Sequence, residues 1–290
     1  MHQERMSGHA AWALRWRRGL SLAALTGLLW VGSAAAIELP WKADKKPAVG
    51  SCFLLFEVGK GEVRRAPDEV CDSRVTPAST FKIPHSLIAL DTGAVSGPDE
   101  VIPYDGSGNW PESSKRDHTL ASALQNSVVW YYQKVAERVG EKKEAAYLRK
   151  FAYGNADSES GLTTFWLGGS LQITPEEQLD FLRRFYDGKL PVKFESMTTV
   201  MSMLLQPPGV VVNSLGEHPF DAPWPAGTSV AAKTGSGTDA DGRTVRWLVG
   251  RVRREGSSYL FVSCVIGDED TPAEAAIDLA AKSLRENGVL

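Results

Sequence analysis

The chain has 290 residues, 43% apolar and 23% charged, with a net charge of −3. That length supports one large core, and the mildly acidic balance gives no support for nucleic acid or an anionic membrane surface as a partner. Three cysteines and five histidines, without H-x-H, HExxH or CxxC spacing, offer no metal site, and no Gly-rich phosphate loop is present.

Residues 1–36 read as a processing segment. Arg15, Arg17 and Arg18 precede an apolar run from Leu20 to Val31, which ends at Ala34, Ala35 and Ala36. The run is too short to span a bilayer comfortably, and the small residues mark a cleavage site. The mature chain is therefore expected to span 37–290, starting at Ile37, in the periplasm or outside the cell and with no membrane span. The alternative is a retained single-pass anchor. Loss of the segment's four arginines and one glutamate takes the net charge to −6.

Strand-like runs follow at 52–58 and 61–65, joined by a hairpin at Gly59 and Lys60. Cys52 and Cys71 are expected to bridge in an oxidising compartment, which pins the segment ahead of Ser79; the alternative is two separate buried thiols. The middle of the chain has helical spacing. Leu120, Leu124, Val128, Tyr131, Val135 and Val139 predict one helix over 119–139. Further helices are expected over 141–151 and 174–185, the last opening with a Thr cap, Pro and two acids. Three sequential strands, 229–234, 245–253 and 257–266, are separated by short turns and so run antiparallel. Cys264 lies in the last of them as a core thiol. A helix over 272–287 closes the chain. Strands at both ends around a helical middle imply an α+β fold: an antiparallel sheet flanked by terminal helices, with an all-helical lobe inserted. The cleft between the two is the natural place for a site.

Ser79-Thr80-Phe81-Lys82 is the only serine followed three residues later by a lysine. On a helical turn this puts hydroxyl and amine on one face, and a neutral amine can activate a serine as nucleophile. Alone the motif equally fits a helix start with Ser79 as its cap. Two later motifs decide between these. Ser127-Val128-Val129 offers a second hydroxyl to relay a proton. Lys233-Thr234-Gly235, at a strand end, offers a cation, a hydroxyl and room for a ligand backbone, a set suited to an anionic substrate.

These three motifs in order, with Tyr153-Gly154-Asn155 and Phe165-Trp166-Leu167 between them, resemble the pattern of the class D (oxacillinase-type) serine β-lactamases over nearly the whole mature chain. The resemblance implies the serine β-lactamase and penicillin-binding transpeptidase fold, and β-lactam antibiotics as substrates. It implies an acyl-enzyme on Ser79. Lys82 is expected to carry CO₂ as a carbamate (N6-carboxylysine) and to act as general base, with Trp166 bonding the carbamate and Phe81 and Val129 keeping the pocket apolar. Backbone N–H groups of Ser79 and Ser236 are the implied oxyanion hole, and Tyr153 and Asn155 loop supports. No cofactor is expected beyond CO₂ or bicarbonate. One departure stands out: the family's arginine near the start of the last helix is missing, with Ala275 near its place. Arg243 and Arg246 are the candidates to replace it. The competing readings are a β-lactam sensor that is acylated without turnover and a D,D-peptidase acting on cell-wall peptides. No heptad seam or long apolar edge indicates an oligomeric state.

Overall fold

The computed structural model describes residues 49–290 except 67 and 223; the expected processing segment and mature start lie outside the described residues. Strands β1 (Gly50–Glu57) and β2 (Gly61–Ala66) form the expected hairpin. Helix α1 (Asp68–Cys71) brings Cys71 back to β1, where it is bridged to Cys52. A 3₁₀ turn, Ala78–Phe81, runs directly into α2 (Lys82–Thr92). The two-residue strands β3 (Val101–Ile102) and β4 (His118–Thr119) pair with each other.

The helical middle contains α3 (Leu120–Gln125), α4 (Val129–Val139), α5 (Glu141–Phe151), α6 (Pro175–Tyr186) and α7 (Phe194–Met203). The single helix expected over 119–139 is therefore two. Thr119 caps α3 in a reciprocal box with Ser122, and the chain breaks at Ser127, whose φ of 57° lies in the left-handed region. Thr174 and Glu177 form the expected capping box at α6; such a cap contributes about 1 kcal/mol. Helix α7 and the hairpin of β5 (Val210–Asn213) and β6 (Gly216–Pro219) have no counterpart in the sequence reading.

Three long strands, β7 (Ser229–Thr238), β8 (Thr244–Arg254) and β9 (Ser257–Gly267), precede the last helix, α8 (Ala275–Glu286). All the large-sheet pairings are antiparallel, in the order β2-β1-β9-β8-β7. The strand period of two sorts side chains onto two faces. Phe53, Leu55, Leu248, Val252 and Phe261 pack with Ala276, Ile277, Ala280 and Leu284 of α8. Leu54, Val245, Trp247, Val249 and Val262 join the larger core under the helical middle. Strand β7 is the sheet edge. Residues 230–232 of it are covered by Leu204 to Gln206, and the Lys-Thr-Gly segment lies just beyond that cover. No helix among the described residues is long and apolar enough to cross a membrane.

Candidate active site

The 3₁₀ turn is built around Pro77, whose carbonyl accepts from the Thr80 N–H at 3.1 Å and the Thr80 hydroxyl at 2.7 Å. Because the turn continues into α2, Ser79 and Lys82 lie one turn apart on one face. The Lys82 Nζ is 2.7 Å from Ser79 Oγ. Ser79 retains 8% of its surface, whereas Lys82 has none; the hydroxyl is reachable and the amine is sealed behind it.

Phe81, Tyr132 and Trp166 are all buried around this point. Lys82 Nζ lies 5.4 Å from the Tyr132 ring centroid, and the rings of Phe81 and Trp166 are 5.7 Å apart. Burial, and secondarily the charge of Lys233, holds the Lys82 amine well below the usual lysine value. Removing an ammonium from water disfavours its charged form. The Trp166 Nε1–H is buried and has no hydrogen-bond partner. Val129, half-buried, opens α4.

Ser127 sits in the break between α3 and α4. A left-handed serine costs on the order of 1 kcal/mol; the bonds from Ser127 N to Leu124 O and from Val128 N to Ala123 O hold it there. Lys233 Nζ donates to Ser127 Oγ at 3.0 Å, which joins the sheet edge to the helical middle. The sequence reads Lys233 as a fixed cation. It is instead so deeply buried that its ammonium is pulled down to about 7. Gly235 also has a different reason from the one expected: a Cβ there would meet Pro77 O and Thr80 Cγ2 at 3.0 Å. The missing side chain lets the strand lie against the nucleophile turn.

Lys233 Nζ also donates to Thr234 O at 3.0 Å and lies 3.4 Å from Thr234 Oγ1, and Ser236 stands directly across from Arg246. Arg246 donates to Ser236 Oγ at 2.7 Å and to the carbonyls of Thr271 and Pro272 at 3.2 Å. The guanidinium thus bridges from β8 to the loop ahead of α8. Arg243 is held elsewhere, paired with Asp241 at 3.2 Å in the β7–β8 turn.

Sequence reasoning missed Thr76. Its hydroxyl donates to Trp166 O at 2.9 Å and accepts from Gly168 N at 3.0 Å. Its carbonyl accepts from Trp247 Nε1 at 3.0 Å. One threonine therefore ties the Trp166 loop and β8 to the segment carrying the nucleophile. Of the two expected loop supports, Asn155 holds a loop, whereas Tyr153 bonds helix α6. Asn155 bonds Ser170 O and Gln172 N, while Tyr153 donates to Gln178 Oε1, whose amide donates to Thr80 Oγ1. His85, outside every motif of the sequence, is fully buried beside Glu144.

A reachable serine beside a buried lysine held toward its neutral form, with a second lysine–serine pair close by, is an arrangement suited to acyl transfer. The sequence matches the penicillin-binding protein transpeptidase domain family over residues 57–285. It is 33% identical over 230 residues to a probable β-lactamase YbxI of Bacillus subtilis, covering 79% of each chain. It is 41% identical over 132 residues to β-lactamase OXA-2 of Salmonella typhimurium, covering 46% of this chain and 48% of that one. A class D β-lactamase structure from Bacillus subtilis superposes with a TM-score of 0.70 at 32% identity, over 83% of this chain and 92% of the other. The fold and site thus define a member of the penicillin-binding transpeptidase class. Within it, the chain belongs to the class D serine β-lactamases, and it is a hydrolase.

Proposed function

We propose that this protein is a secreted β-lactamase that opens the β-lactam ring through an acyl-enzyme on Ser79, and so confers resistance to β-lactam antibiotics. The observation that carries the reading is the 2.7 Å contact between Ser79 Oγ and Lys82 Nζ inside an apolar pocket. Lys82 reacts as the neutral amine with CO₂, forming an N–C bond and releasing one proton to water. The site's chemistry fits that group. Burial favours the neutral amine, and the unpartnered Trp166 Nε1–H is a donor suited to a carbamate oxygen.

Carboxylated Lys82 takes the Ser79 proton as Oγ attacks the lactam carbonyl. The C–N bond then breaks, and Ser127, linked to Lys233, passes a proton to the leaving nitrogen. Backbone N–H groups of Ser79 and Ser236 are the oxyanion donors the family implies. Water, deprotonated by the same lysine group, releases the acyl chain and restores Ser79. An anionic substrate also bears on Lys233: a carboxylate near it favours its ammonium form. Thr234, whose hydroxyl lies 3.4 Å from Lys233 Nζ, and Arg246, bonded to Ser236, complete the anion site.

The test is intact-protein mass after brief exposure to a β-lactam, together with turnover of a chromogenic cephalosporin in degassed buffer with and without bicarbonate. The expected result is one adduct on Ser79, multiple turnover and bicarbonate activation. An adduct on Ser127 refutes the nucleophile. A stable adduct without turnover refutes hydrolysis in favour of a sensor, and bicarbonate independence refutes the carbamate.

A further inference from the structure

His85 and Glu144 form a buried acid–base pair that the reaction above does not use. Both side chains are fully buried, and His85 Nε2 lies 2.9 Å from Glu144 Oε1, yet neither ring nitrogen and neither carboxyl oxygen has a hydrogen-bond partner among the described residues. His85 is one helical turn beyond Lys82 on α2. Its ring stands 5.3 Å from the Trp166 ring, edge to face, 5.4 Å from Tyr132 and 5.2 Å from Phe81. These are the same rings that enclose Lys82. Glu144 arrives from the first turn of α5, where the exposed N–H groups of a helix favour negative charge. An isolated buried carboxylate is costly, so it needs its partner.

We propose that the His85–Glu144 pair tunes how tightly Lys82 holds CO₂. The pair is a dipole whose imidazole end belongs to the lysine's own helix and touches Trp166. Carboxylation turns a neutral amine into an anion: N–C forms, one carbonyl π pair moves to oxygen, and the amine proton leaves to water. A polar ring on the lysine's own helix, backed by the Glu144 carboxyl group, stabilises that anion in low-dielectric surroundings. Edge contact with Trp166 also holds the indole, whose N–H is buried and unpartnered among the described residues. His85 and Glu144 are thus positioning residues, and the inference rests on the carbamate reading above.

The test compares wild type with Glu144→Gln, which removes the acid and leaves the ring. A double variant, His85→Asn/Glu144→Met, removes both members of the pair without stranding either. Each is degassed and titrated with ¹³C-bicarbonate. Two quantities are read: the carbamate NMR signal without substrate, and the bicarbonate concentration giving half-maximal turnover. Both variants are expected to need about tenfold more bicarbonate, with a proportionally weaker carbamate signal. Packing alone moves melting temperature but neither readout. Wild-type bicarbonate dependence in both variants overturns the proposal. So does a shift in Glu144→Gln that the double variant does not share, because it would mark an unpaired ring. Absence of any carbamate signal in wild type overturns the reading beneath it and this proposal together.

Discussion

Lys233 reaches across the cleft to Ser127, 3.0 Å from Nζ to Oγ, and this is the bond that joins the sheet edge to the helical middle at the site. The two residues come from a strand and from a helix break held in the left-handed region. Ser127→Ala keeps the backbone but removes the relay. It is expected to lower kcat/KM by roughly 10²–10⁴-fold, the range for a lost proton transfer, while Ser79 is still acylated slowly. Stopped-flow acylation and circular dichroism check this; unchanged acylation contradicts the role.

Arg246 and Arg243 are separated by their partners, Ser236 for one and Asp241 for the other. Arg246→Ala is expected to raise KM or lower kcat/KM by about tenfold to a hundredfold, the worth of one charge-assisted hydrogen bond. Arg243→Ala is expected to stay within about twofold of wild type. Steady-state kinetics on one anionic β-lactam decide it, and equal effects from the two variants defeat the assignment.

Both site lysines favour the neutral form when folded, Lys233 down to about 7 and Lys82 well below its ordinary 10.5. An unfolded lysine titrates near 10.5, so from about 7 upward the unfolded chain binds more protons than the folded one. Stability therefore rises with pH across that window, and the Lys233 contribution is flat below it. Urea unfolding in degassed buffer is expected to show a gain on the order of 1 kcal/mol per pH unit between about pH 7 and 8.5. Lys233→Met should have a shallower slope; a falling wild-type profile contradicts the sign.

Thr76→Val preserves shape and removes the hydroxyl that serves Trp166 O and Gly168 N. Leaving buried polar groups unpaired costs roughly 1–3 kcal/mol. The variant is expected to melt lower and to deacylate more slowly, since the Trp166 loop loses its tie. Normal deacylation with lowered stability would confine Thr76 to the fold.

Cys52→Ala/Cys71→Ala opens a bridge of sequence separation 19. Chain-entropy arguments put the loss at about 3 kcal/mol, measurable as a lower urea midpoint. Free thiols at both positions in protein recovered from an oxidising compartment would refute the bridge.

The large sheet was legible because β-branched and aromatic runs at both chain ends are punctuated by Gly and Asp turns, and all five expected strands are present. The terminal helix carried a one-sided apolar stripe, and α6 a Thr cap, a Pro and two acids in its first turn. What was missed has a common cause. Leu120, Leu124, Val128 and Tyr131 keep helical spacing straight through Ser127, and no Gly or Pro marks the break, because tertiary packing holds Ser127 in its unusual conformation. Helix α7 mixes Ser, Thr and Met around its surface and shows no strong stripe. Glu144 lies among lysines and alanines and reads as solvent-facing; only its meeting with His85 explains its burial. Thr76 carries no motif, since a hydroxyl that braces three segments is defined by where they meet.

The pairing of Cys52 with Cys264 places the first described strand against the last long one, at the centre of the sheet. Ser79, Ser127, Trp166 and Lys233 all fall between those two positions in the chain. The loop to be closed is long, and its entropy must be overcome before the pairing rewards it. Assembly of the catalytic groups is thus a late event, awaiting synthesis of β9. A chain that stops short of β9 retains every catalytic side chain yet lacks the strand that joins β1 to β8, so the quality of the site is set by the completeness of the chain.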